Sequence, residues 1–81
     1  MATTEIISKL EQIFNEVFTN DTVVLTETLT ANDVGGWDSL SHMLLISEVE
    51  QGFGIKFKLS DLNKMRNVGD MVNIISSKLN A

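Results

Sequence analysis

The sequence predicts an all-α fold: three main helices, one short helix and a long first loop, in one domain over residues 1–81. Three observations carry that expectation. Apolar residues recur at three- and four-residue spacings in three separate windows. Residues that cap helices stand just ahead of those windows, and a glycine follows one of them. The β-branched run "TVVLTETLT", residues 22–30, has no second run of similar quality to pair with. One strand cannot satisfy its own backbone.

The first helix is predicted over residues 4–18, "TEIISKLEQIFNEVF", where Ile6, Ile7, Leu10, Ile13, Phe14, Val17 and Phe18 share one face. Thr3 or Thr4 would cap it, with Glu5 in the first turn. Residues 19–37 are read as a loop that tucks Val23, Val24, Leu25 and Leu29 against the helices, and a loop this long in a small domain is often functional. The second helix is predicted over residues 39–52, capped by Asp38 or Ser39, with Leu40, Met43, Leu44, Leu45, Ile46 and Val49 as a wide apolar face. Gly54 suits the left-handed position after its last turn and lets Ile55 fold back, while Gly52 weakens that turn. A short helical turn should begin near Leu59 or Ser60. The last helix should be capped by Asn67, with Asp70 three positions on and Val68, Met71, Val72, Ile74, Ile75 and Leu79 on its apolar side.

Composition narrows the function. The chain of 81 residues has a formal net charge of −5, which argues against binding nucleic acid through phosphate contacts. The charge is uneven: residues 1–37 hold six acids and one base, whereas residues 38–81 hold five of each. With no cysteine there is no disulfide framework, no thiolate metal site and no protein thiol nucleophile. A single histidine does not make a zinc site. No run of eighteen apolar residues and no basic leader is present, so the expectation is a cytoplasmic protein with no membrane span.

The stretch "GGWDSLSHM", residues 35–43, admits several readings. A serine hydrolase needs a base, an orienting acid and an oxyanion hole; only His42 could be the base, and Trp37 stands where a hydrolase signature has glycine. A propeller needs the Trp-Asp pair repeated every ~40–45 residues, and here it occurs once. The plain reading is that Ser39 caps a helix, stabilising it by about 1 kcal/mol, and that His42 is a solvated helix residue. On that reading the chain is a small acidic interaction module.

Taken together, "DSL" at the start of a helix, "FGIKF" closing it with Phe53 fourteen residues after Ser39, and "VGDMVNII" opening a final helix resemble an acyl carrier protein over nearly the whole chain. The resemblance implies an acyl-carrier-protein-like four-helix bundle. It also implies that Ser39, flanked by Asp38 and Leu40, accepts 4′-phosphopantetheine from coenzyme A through a phosphopantetheinyl transferase. The chain would then be a carrier, not an enzyme, and act as a monomer. Acyl chains would ride on the arm's thiol to acyl-activating, ketosynthase or acyltransferase enzymes. The phosphodiester would lie by unpaired N–H groups at the positive end of a helix. Asp38, Leu40, Met43, Leu44, Glu48 and Ile55 would form the docking surface, with Ile55 near the mouth of an acyl cleft. Phe53, Ile55 and Phe57 are assigned to the core, and Trp37 either packs over the loop or shields the arm's base.

The chain departs from carriers of general fatty-acid synthesis in two places. Ser41, His42 and Leu44 stand where acids or polar residues are expected, and Lys56, Lys58, Lys64 and Arg66 face Asp61 alone in the following segment. A ketosynthase that selects carriers through a basic patch should therefore bind this chain less well. The "GWDSLSHMLLI" run is more similar to free-standing carriers of specialised pathways, such as polyketide, nonribosomal-peptide or surface-polysaccharide modification. The preceding Gly-Gly leaves a peptidyl or aminoacyl carrier as an alternative.

Overall fold

The computed structural model describes residues 2–19 and 22–80; Met1, Asn20, Asp21 and Ala81 lie outside the described residues. Four α-helices follow in order: α1 (Thr3–Val17), α2 (Ser39–Phe53), α3 (Leu59–Asn63) and α4 (Val68–Leu79), with a short 3-10 turn at Ala31–Asp33. No strand occurs among the described residues. The predicted class and helix order are those observed.

The first helix is the spine of the bundle, packing against both α2 and α4. Its buried face is Ile6, Leu10, Ile13 and Phe14, which meets Leu45, Ile46, Val49 and Phe53 of α2 and Val68, Met71, Val72 and Ile75 of α4. At Gly52 the helices come so close that a Cβ would lie 3.0 Å from the Ile13 Cδ1, which accounts for a glycine inside α2. The α2 helix ends as expected, with Gly54 at φ 67° and the Ile55 N–H donating to the Glu50 carbonyl at 3.1 Å. Phe53 is buried, whereas Ile55 and Phe57 are half-buried at the edge of the core.

One cap differs from expectation. Neither Thr3 nor Thr4 caps α1; Ala2 occupies that position, and the Glu5 carboxylate reaches back to the Ala2 N–H at 3.2 Å. A glutamate in the third position can satisfy a terminal donor as well as a capping hydroxyl does. At α4, Asn67 accepts from the Asp70 N–H at 2.8 Å, and Asp70 in turn receives the Arg66 N–H at 3.2 Å.

The loop between α1 and α2 is extended where its sequence resembles a strand, and α1 side chains take the place of a neighbouring strand. Asn15 accepts from the Val23 N–H at 2.7 Å and donates to the Val23 carbonyl at 3.0 Å. Glu11 accepts from the Leu25 N–H at 3.0 Å. Alternation follows from this extension: Val23 and Leu25 are buried, and Val24 points outward at 69% exposure instead of tucking in. Further along, the Leu29 and Glu27 carbonyls accept from the first amides of α4, Val68 at 2.9 Å and Gly69 at 2.8 Å.

Trp37 ties the end of this loop to the core. Its ring meets Phe14 edge-on at 5.2 Å and Phe18 at 5.9 Å, and it stacks on His42 with centroids 5.9 Å apart. The indole Nε1–H donates to the His42 Nδ1 at 3.0 Å. An indole N–H can only donate, so Nδ1 carries a lone pair and the neutral ring keeps its proton on Nε2. His42 is therefore a half-buried, hydrogen-bonded residue rather than a solvated one.

Two measurements check this arrangement. Asn15→Ala removes both bonds to Val23 and is expected to lower the unfolding free energy by about 1–3 kcal/mol in urea titration; a change within about 0.3 kcal/mol would contradict the anchoring role. Burial holds the His42 imidazole below its ordinary value of 6.5. The folded chain thus binds fewer protons than the unfolded one, so this contribution to stability is present above pH 6.5 and fades as pH falls through the folded value. Trp37 is the only tryptophan, and its fluorescence should titrate with a midpoint below pH 6.5 in the wild type and not in His42→Gln. A midpoint at or above that value would be the wrong sign.

Candidate functional site

The site lies where the anchored loop turns into α2. The Trp37 N–H donates to the Val34 carbonyl at 3.2 Å, closing a turn in which Gly36 sits at φ 87°, a left-handed value that disfavours any side chain. The turn delivers Asp38 to the cap of α2, where its carboxylate accepts from the Leu40 N–H at 3.1 Å and the Ser41 N–H at 3.0 Å. The Ser41 N–H above all, then the Ser41 hydroxyl and the Leu40 N–H, hold this carboxyl below the usual aspartate range. The cap is thus a fixed negative charge at the positive end of the helix.

The two serines behind the cap behave differently. The Ser41 hydroxyl accepts from the Asp38 N–H at 2.8 Å and has the Gly36 carbonyl as its closest acceptor at 2.6 Å, so it locks turn to helix. Ser39, the first residue of α2, is exposed, and its hydroxyl forms no hydrogen bond among the described residues. The cap is Asp38, which overturns the reading of Ser39 as a capping residue. Asp38 also occupies the amides of Leu40 and Ser41, so the expectation of several unpaired N–H groups beside Ser39 is corrected: most of that charge-binding capacity is already used.

Ser39 opens onto a shallow groove of about 370 Å³, lined also by Trp37, Asp38, His42, Met65 and Arg66. Arg66 comes from the α3–α4 connection, and its guanidinium is in no ion pair among the described residues. The one basic ring nitrogen available nearby, His42 Nδ1, is already bound to Trp37. Among the described residues no basic group is hydrogen-bonded to the Ser39 hydroxyl, which suits an acceptor acted on by another protein. No cluster of residues able to hold a metal occurs among the described residues.

Sequence reasoning had selected Asp38, Ser39, Leu40, Met43, Leu44, Glu48 and Ile55. The structure brings Asp38 and Ser39 to the groove and leaves Leu40, Met43 and Leu44 exposed at 84%, 59% and 52% on the outer face of α2. Glu48 and Ile55 are half-buried, and Ile55 lines a separate groove with Ser47, Gln51, Gly54 and Lys56. Ser41, Met65 and Arg66 were missed. The last two lie far from Ser39 in sequence, and only the short α3 returns them to its side.

Comparison with known proteins agrees with this geometry. Residues 8–75 match the family model described as "Phosphopantetheine attachment site". The chain is 39% identical over 75 residues to an acyl carrier protein of Thermotoga maritima, covering 93% of each chain. It is 29% identical over 80 residues to an acyl carrier protein of Lactobacillus johnsonii, covering 99% of this chain and 100% of that one. The solution NMR structure of holo acyl carrier protein from Geobacter metallireducens superposes with a TM-score of 0.87 at 45% identity, covering 93% of this chain and 86% of that one. An exposed serine hydroxyl at a helix start, with an open groove beside it, fits a covalent arm of this kind. The chain belongs to the phosphopantetheine-attachment family as an acyl carrier protein, a carrier and not an enzyme, whose prosthetic group is a covalently attached 4′-phosphopantetheine.

Proposed function

We propose that Ser39 is the residue that receives the arm and that the chain is a single-domain, monomeric, cytoplasmic carrier of a specialised acyl-transfer pathway. One observation carries the assignment. Of the two serines at the start of α2, the Ser41 hydroxyl is bound within the turn, and the Ser39 hydroxyl is free and exposed.

The residues around Ser39 divide the work. Asp38 fixes the helix start through two backbone amides, so Ser39 is held in a defined orientation without using its own hydroxyl. Ser41 fastens the Gly36 turn behind it. Activation of the hydroxyl falls to the phosphopantetheinyl transferase: its base takes the Oγ–H proton, Oγ bonds to the pantetheine-side phosphorus of coenzyme A, and the P–O–P bond breaks to release 3′,5′-ADP, leaving a phosphodiester on Ser39. Arg66, which lines the same groove, offers a positive charge to that diester. When bound, the arm supplies a terminal thiol on which acyl groups travel as thioesters. Leu40, Met43 and Leu44 give partner enzymes an apolar contact beside the arm, with Asp38, Glu48 and Ile55 at its margins. The specialised rather than general pathway is favoured by the cations that follow α2, where Lys56, Lys64 and Arg66 are in no ion pair among the described residues.

Co-expression with a promiscuous phosphopantetheinyl transferase and intact-mass measurement tests the assignment: the wild type should gain the mass of the arm and Ser39→Ala should not. Because Asp38 is the cap, Ser39→Ala should alter stability by no more than about 0.5 kcal/mol. Asp38→Ala should cost about 1 kcal/mol by thermal or chemical denaturation. A full mass gain on Ser39→Ala, or a larger stability loss there than at Asp38, would overturn the assignment of roles.

A further inference from the structure

The outer face of α2 and the connections around α3 differ in how their charges are used. Leu40, Leu44, Ser47 and Gln51 fall along one stripe of α2, opposite the buried Leu45, Ile46, Val49 and Phe53, and all four are exposed. Met43 and Glu50 flank the stripe on the side toward α3, since Glu50 accepts from the Phe57 N–H at 2.8 Å. Glu48 flanks it on the far side.

The acids on the α3 side are engaged within the molecule. Asp38 is bound by the amides of Leu40 and Ser41, and Glu50 by the Phe57 amide. Asp61 is paired with Lys78 at 2.8 Å, caps α3 through the Lys58 N–H at 2.8 Å, and feels the Lys58 charge as well. Asp70 receives the Arg66 N–H. The cations Lys56, Lys64 and Arg66 are exposed and form no ion pair among the described residues. Two of them border the stripe at opposite ends: Arg66 lines the groove with Ser39 and His42, and Lys56 lines the groove with Ser47, Glu50 and Gln51.

From this charge placement we infer that the exposed stripe of α2, apolar at Leu40 and Leu44 with Met43 beside them, docks into partner enzymes whose carrier socket is apolar at its centre and acidic at the rim that meets Lys56, Lys64 and Arg66. This is the reverse of a basic socket that reads acids on its carrier. The inference rests on the Ser39 reading, because the stripe begins at Leu40, next to the residue that would bear the arm. Rim charges act mainly on encounter and on exclusion of wrong partners, so the surface sets which enzymes this carrier serves.

The probe is a fatty-acid ketosynthase with a basic docking patch, compared with the same enzyme after its patch arginines and lysines are changed to Glu. Each is assayed with this carrier in its acylated form, whose loading is first confirmed by intact mass, and with a conventional acidic carrier as control. The control should prefer the unaltered enzyme, which verifies that both enzymes are folded and selective. The wild-type chain should show a KM about tenfold lower with the altered enzyme, and added salt should shrink the difference. Lys56→Glu/Lys64→Glu/Arg66→Glu should invert the preference, and the milder Lys56→Glu/Lys64→Glu should shift it part of the way. Equal use of the two enzymes by the wild type, or preference for the basic one, would overturn the inference. Failure to load would remove the Ser39 reading, and the docking surface with it, before any enzyme is added.

Discussion

Between the end of α1 and the start of α2 the chain runs as a long, largely extended loop, and the backbone groups of that loop need partners. No strand among the described residues provides them. The partners come instead from helices already formed: Asn15 and Glu11 on α1 hold Val23 and Leu25, and the first amides of α4 hold the Glu27 and Leu29 carbonyls. A buried backbone group left unpaired costs as much as a lost hydrogen bond, so these few contacts decide the path of the loop. Everything at the functional end follows from where the path stops.

It stops at Trp37. With its ring against Phe14 and Phe18 and its N–H on His42, this residue links the spine of the bundle to the first turn of α2. The Gly36 turn then sets Asp38 on the end of the helix, and Ser41 closes the link from behind. The same arrangement that stabilises the helix start leaves one hydroxyl over. Structural and functional roles are thus divided among adjacent residues: Asp38 and Ser41 hold, and Ser39 is presented.

Much of this was legible in the sequence, and the failures have physical causes. Helical periodicity located α1, α2 and α4, and Gly54 and Asn67 marked a stop and a start, because these signals act within one turn of chain. The cap of α1 was misplaced on threonine because the helix already includes Thr3, so the cap position falls on Ala2, whose N–H is bound by Glu5. Val24 was placed inward because an apolar residue in a loop gives no phase; the phase was set by Asn15, eight residues from Val23. The cap of α2 was open between Asp38 and Ser39, since both are good capping residues and only geometry chooses between them; it chooses Asp38. His42 and Arg66 acquire their settings from contacts that no local pattern encodes.

Of the two serines at the start of α2, the one whose hydroxyl has no hydrogen bond among the described residues is the one proposed to carry the arm. Fragmentation mass spectrometry of the phosphopantetheinylated chain, digested to a peptide that contains residues 36–42, tests it most directly. The expected result is the arm on Ser39 and an unmodified Ser41. An arm on Ser41, or on any residue outside that peptide, would contradict it.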